Sequence, residues 1–251
     1  MDEFTLLFLV VTGFLASFID SVVGGGGMIS LPALLWTGMP PILALGTNKV
    51  AASMGAMTSF YAFMRSGRID FDLIKKLAGF SFLGSVLGVY AVQLIPSDFL
   101  RPLVLVMLIF VVIYSIFKKD WGSESKYHGL TPKMLRLSML TAFIFGFYDG
   151  FFGPGTGSFL IFALLWVGFD FLGAAANAKT LNFASNIAAT VFFCYLGLVD
   201  YSYAIPMGIS MIAGAVCGTR MAITKGVSYV RPLFIIMTTL LIGKQLFDML
   251  K

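Results

Sequence analysis

Four ionisable residues stand deep inside apolar sequence: Asp20, Lys49, Asp149 and Lys179. A charge at membrane depth is costly, so it is retained where it handles an ion or substrate or pairs with another charge. A glycine-rich stretch follows each aspartate, "VGGGGMIS" after Asp20 and "FGPGTGSF" after Asp149. Glycine and proline are the poorest helix formers. Gly24, Gly25, Gly26 and Gly27, and then Gly153, Pro154, Gly155 and Gly157, therefore predict a break in each of two helices. Unwound backbone survives in a bilayer core only where protein or a cavity covers it. A break that opens a short helix also gathers free N–H groups and the positive end of a helix dipole at one point, which suits an anion. Two such helix starts and two lysines predict a compact positive pocket for a small anion. Thr47, Asn48, Asn177, Asn182, Ser185 and Asn186 are its candidate hydrogen-bonding lining. The same four charges could instead form structural Asp–Lys bridges. The two uses are compatible if an aspartate orients a lysine or carries a coupling proton.

The elements that must hold these groups are membrane helices. Of 251 residues, 59% are hydrophobic and 12% charged, with a mean hydropathy of +0.93. A soluble domain is about one quarter charged. Apolar sequence recurs in eight blocks, at 4–37, 40–64, 71–95, 99–117, 135–167, 171–196, 203–223 and 230–250. Most are long enough to supply the about 20 helical residues that cross a hydrocarbon core. The chain starts Met-Asp-Glu, with neither a basic stretch nor a small-residue cleavage pattern, so the first block is expected to remain as a helix. Cys194 and Cys217 fall inside predicted helices and read as small packing residues. The single histidine, His128, lies in a polar stretch, leaving none within the membrane for haem or zinc. With no metal-ligand cluster and no nucleophile beside an evident base, neither an enzyme, a metal nor a cofactor is expected. The net charge of +5 sits mainly in loops and reads as a topology signal rather than as nucleic-acid binding.

Displaced by 130 residues, the sequence matches itself. "LLWTG" at 34–38 meets "LLWVG" at 164–168, Lys49 meets Lys179, and Gly67 and Asp70 meet Gly197 and Asp200. Gly84 and Gly88 meet Gly214 and Gly218, and the "RPL" at Arg101 meets that at Arg231. Upstream of the glycines the displacement is 129, so Asp20 meets Asp149. The expected fold is an all-α, polytopic integral membrane protein of two repeated halves, 1–117 and 136–251, each of four apolar blocks. A cytoplasmic linker at 118–135 joins them.

The first and fifth blocks each exceed 30 residues. Each reads as a long helix ending at its aspartate, a break, and a re-entrant piece of about ten residues, too short to cross alone. A piece that doubles back gives each half an odd number of crossings and inverts one half against the other. Loop charges favour inversion. It puts Arg65, Arg68, Lys75, Lys76, Lys118, Lys119, Lys126, Lys133, Arg136, Arg220, Lys225 and Arg231 on one side, the cytoplasmic one by the positive-inside rule. Asp2, Glu3, Asp98, Arg101 and the cation-free loop at Asp200 fall opposite. Gly84-xxx-Gly88 and Gly214-xxx-Gly218 read as close helix contacts, and Trp36 and Trp166 as interfacial anchors.

Internal repeats with matching helix breaks are the usual construction of secondary transporters, whose site lies between the halves near the midplane. An anion channel and a purely structural bundle are the other readings of this plan.

At "FIDSVVGGGGMISLPAL", "ALGTNKVAAS", "GFYDGFFGPGTGSFL" and "NAKTLNFASNIAA" the chain resembles the sulfite exporter TauE/SafE family, and its YfcA-type members most closely. The resemblance covers nearly the whole chain. It implies a multi-pass protein of the bacterial inner membrane that carries small sulfur-containing anions such as sulfite, sulfonates or sulfoacetate. A carrier of a non-sulfur organic anion is the alternative. Asp20, Gly24, Gly25, Gly26, Gly27, Asn48 and Lys49 stand at the family's motif positions, as do Asp149, Gly153, Pro154, Gly155, Gly157, Lys179 and Asn182. Asn48 meets Ala178 across the repeat, so the two half-sites are not alike. The expected partners are a small anion, the lipid bilayer and a proton as candidate coupling ion, with no nucleic acid.

Overall fold

The computed structural model describes residues 2–96, residues 98, 99, 102, 103, 106, 109, 127 and 129, and residues 131–225. The block at 230–250, most of that at 99–117, His128, Arg101, Arg231 and most of the linker, Lys118, Lys119 and Lys126 included, lie outside them.

Among the described residues there are eight helices and no strand. They are α1 (Glu3–Val23), α2 (Gly27–Trp36), α3 (Pro41–Arg65), α4 (Phe71–Gln93), α5 (Pro132–Phe151), α6 (Thr156–Val167), α7 (Phe171–Tyr195) and α8 (Tyr201–Lys225). Several begin on a side-chain cap that answers an otherwise unpaired N–H. Asp70 accepts from Leu73 at 3.0 Å, Asp170 from Gly173 at 3.2 Å and Thr131 from Met134 at 3.3 Å.

Helices α1, α4 and α8 are both long and apolar enough to cross a membrane. With 25 residues each, α3 and α7 are about 37 Å long and could also cross, but polar residues lower their hydropathy. The 10 residues of α2 and the 12 of α6 reach only about half-way. Each short helix turns back along the helix before it. Trp36, at the end of α2, packs edge-on against Phe8 near the start of α1, ring centres 4.0 Å apart. Trp166 and Val167, at the end of α6, share an apolar groove with Met134 and Leu137 from the first turns of α5.

Close packing then fixes the directions. Gly84 and Gly88 of α4 lie against the backbone of Phe143 and Phe147 on α5, and Gly214 and Gly218 of α8 against Phe14 and Phe18 on α1. Residue numbers rise together in both pairs, so the helices run parallel, and a Cβ at any of these glycines would enter the neighbour's backbone. Helices α3 and α7 run opposite ways: Ser53 bonds Thr190 at 2.7 Å while Phe60 stacks on Phe183 at 5.3 Å.

All described lysines and arginines except Lys49 and Lys179 consequently gather at one end. Arg65 ends α3, Arg68 lies in the loop after it, Lys75 and Lys76 open α4, Lys133 and Arg136 open α5, and Arg220 and Lys225 close α8. At the other end stand Asp2, Glu3 and Asp200. Leu83, Leu87 and Tyr90 on α4 and Ile205, Ile209 and Val216 on α8 form outward apolar stripes, the surface a bilayer requires. Trp166 is exposed, as an anchor would be. Cys194 is half-buried, whereas Cys217 faces outward from α8 and so lacks the packing role expected of it.

Candidate functional site

The chain leaves α1 through Gly24 and Gly25, at φ of 76° and 89°, and leaves α5 through Gly153 and Gly155, at 101° and 88°. Side chains disfavour such angles, which is why the breaks are written in glycine. The two breaks touch. A Cβ on Gly24 would fall within the backbone of Gly157 and Ser158, one on Gly27 would stand 3.0 Å from Cα of Pro154, and the Ser158 hydroxyl donates to the Val23 carbonyl at 2.9 Å. The Tyr148 hydroxyl holds the second break by donating to the Pro154 carbonyl at 2.7 Å.

Both lysines end at this crossing, and each meets an aspartate from the other side of the linker. Lys49 Nζ lies 2.8 Å from Asp149 Oδ1, and Lys179 Nζ lies 2.5 Å from Asp20 Oδ2. Asp149 accepts a second bond from Ser185 Oγ at 2.6 Å, and Lys49 donates to Asn186 Oδ1 at 3.4 Å. Asp20 Oδ1 accepts from the backbone N–H of Gly26 at 2.9 Å, so its charge sits against the positive end of α2. The pocket expected to be positive is thus balanced, two ammonium groups against two carboxylates. An unpaired lysine at this depth would carry a desolvation cost that an adjacent carboxylate offsets.

Beside the pairs lies a cavity of about 40 Å³, the scale of a few water molecules. Asp20, Gly25, Gly26, Gly27, Asn48, Lys49, Asp149, Gly153, Gly155, Gly157, Asn182 and Asn186 line it. Gly24, Pro154 and Lys179 stand immediately behind, in the contacts given above. Asn48 is buried, and its Oδ1 has no hydrogen-bond partner.

Of the expected lining residues, Ser185 does not line the cavity but holds Asp149, and two others are elsewhere. Thr47 accepts from the Asp200 N–H and Asn177 from the Asp70 N–H, both at 2.9 Å, each tying a loop to a helix of the other half. Positions two apart on a helix do not share a face, so neither can look where Lys49 or Lys179 looks. Ser17, Ser30 and Thr156 line the cavity without having been expected there. Ser17 was legible, since it stands three residues before Asp20 and therefore on its face.

A family profile described as "Sulfite exporter TauE/SafE" matches residues 9–244. The chain belongs to the TauE/SafE family. The family is one of membrane transporters, and the apolar helices of this TauE/SafE chain fit a transmembrane setting. Among its relatives, a "Probable membrane transporter protein" of Haemophilus influenzae is 38% identical, the match covering 99% of this chain and 96% of the relative. "Probable membrane transporter protein ORF9" of a Sinorhizobium species is 37% identical over 97% and 93% of the two chains. "Probable membrane transporter protein YfcA" of Escherichia coli K12 is 33% identical over 99% and 95%. No solved structure matches this TauE/SafE chain.

Proposed function

We propose that the protein is a secondary carrier of small sulfur-containing anions, in the class of sulfite, sulfonates and sulfoacetate, and that the crossing of the two glycine breaks is its substrate site. The observation that carries this is the pair of bridges Lys49–Asp149 and Lys179–Asp20 at that crossing, each joining a helix before the linker to one after it. Buried charges on two bodies that must part and re-form are what a gated site needs, and the glycines let a ligand reach bare backbone. The family's description, which names sulfite, supports the substrate class.

The two halves, 1–117 and 136–251 about the linker at 118–135, are inverted repeats in this reading. Equivalent contacts occur with the halves exchanged: Gly84 against Phe143 as Gly214 against Phe14, Asp70 to Asn177 as Asp200 to Thr47. Equivalent helices related by an axis in the membrane plane run antiparallel, as α3 and α7 do. The basic end then faces the cytoplasm across the bacterial inner membrane.

Transport follows from charge balance. An anion that takes Asp149's place at Lys49 leaves a carboxylate without its cation in a dry site, and a proton on Asp149 restores neutrality. The anion and proton cross together when one half rocks against the other. The buried lysines and the small cavity favour this carrier over an open channel. The test is counterflow in proteoliposomes: unlabelled sulfite, thiosulfate or sulfoacetate on the far side accelerates entry of the labelled anion. Flux that never saturates and ignores the far side would make the protein a channel.

A further inference from the structure

The two ion pairs differ in what surrounds them. Lys49 lines the cavity and Lys179 does not. Three amides face the same space, Asn48 from α3 and Asn182 and Asn186 from α7. Their counterparts at the 130-residue displacement are Ala178, Ala52 and Ala56, which carry no polar atom beyond the backbone. Ser185, which bonds Asp149, has Gly55 as its counterpart. The amide lining therefore stands on one side of the repeat only.

Both carboxylates are held through both oxygens, Asp149 by Lys49 and Ser185, so the pairs differ in whether the lysine reaches the cavity. Asp20 is held by Lys179 through one carboxylate oxygen and by the Gly26 N–H through the other. Lys179 is wholly buried and does not reach the cavity, although its partner Asp20 does. At the first pair, Asn48 stands in the lining, and its Oδ1 is buried without a hydrogen-bond partner, an acceptor that the protein leaves unanswered. A buried amide left unanswered is costly, and one that waits on a ligand returns that cost on binding.

We propose that the repeat is functionally one-sided. Lys49, Asn48, Asn182 and Asn186 contact the anion, with Asp149 as the group it displaces, while Lys179–Asp20 is a fixed strut that holds the two breaks together. One chain then binds one anion, off the pseudo-symmetry axis. This rests on the carrier reading above and says which half-site does the binding.

The experiment compares two neutralising double variants in proteoliposomes, Lys49→Met with Asp149→Asn and Lys179→Met with Asp20→Asn, using whichever of sulfite, thiosulfate and sulfoacetate the unaltered protein moves. Removing both partners strands no charge, so the comparison reads substrate contact rather than an orphaned ion. The first double variant is expected to raise the half-saturating concentration by at least about tenfold, the loss of a charged hydrogen bond. The second is expected to lower the maximal rate and the melting temperature while leaving half-saturation within about twofold. Equal shifts in half-saturation would overturn the proposal in favour of two equivalent half-sites. Should a double variant fail to fold, Asn48→Ala gives the answer alone, since its Oδ1 makes no bond in the protein. A raised half-saturating concentration supports the proposal and an unchanged one overturns it. If the unaltered protein moves none of the three anions, the carrier reading falls, and this assignment falls with it. If it moves one and the two pairs respond alike, only this assignment falls.

Discussion

Lys49 on α3 and Asp149 on α5 meet at 2.8 Å with each side chain only 2% exposed, and Ser185 of α7 holds the second carboxylate oxygen. A bridge this dry gains little over well-packed apolar groups of the same size, but removing one partner strands the other at a cost of about 3–5 kcal/mol. Lys49→Met should therefore lower the melting temperature of the detergent-purified protein, and adding Asp149→Asn should recover most of the loss. A double variant as unstable as the single one would show that packing, not charge, had been lost.

The crossing of the breaks should be far less tolerant than glycine at an exposed turn. Gly24 and Gly67 both have positive φ, 76° and 67°, but Gly24 also has ψ of 170°, and a Cβ on Gly67 would meet open space, while one on Gly24 would enter the backbone of Gly157 and Ser158. Gly67→Ala should cost about 1–2 kcal/mol of conformational strain. Gly24→Ala adds a backbone collision and should cost several times as much or prevent folding. Thermal melts of the two variants make the comparison, and equal losses would argue against contact between the breaks.

Inversion places Arg68, after α3, and Ser202, early in α8, on opposite membrane faces. In a variant lacking Cys194 and Cys217, Ser202→Cys should react with a membrane-impermeant maleimide added to spheroplasts, and Arg68→Cys only after lysis. Labelling of both from one side would mean that the halves are parallel.

Charge balance at the site predicts that anion flux carries a proton in the same direction. Acidifying the side that holds the anion should drive its accumulation, and a trapped pH dye should report co-entry of protons. Asp149→Asn should uncouple the two, leaving whatever flux survives indifferent to the gradient. Flux through the unaltered protein that ignored pH on both sides would mean uniport.

The four charges were conspicuous in the sequence because each stands inside an apolar block, more than eight residues from any other charged residue. The breaks were equally plain, since pieces as short as α2 and α6 cannot cross. What the residues did not disclose is who pairs with whom. Displacement by 130 says that Lys49 corresponds to Lys179, but not that Lys49 reaches Asp149 rather than Asp20, because that depends on how α3, α5 and α7 pack. Thr47 and Asn177 show the limit of choosing by residue type. Both are polar and adjacent to the motif, yet two residues from a lysine is the far side of a helix, and both hold loops instead. Asn182 and Asn186, four apart, share a face and do reach the cavity.

The central claim, that anions pass at the crossing of the breaks, is tested most directly by sulfite flux into proteoliposomes holding equal folded amounts of the unaltered protein and of Lys49→Met. The account predicts saturable flux from the first and loss of that flux in the second. Flux through Lys49→Met at the unaltered rate and half-saturation would place the path elsewhere.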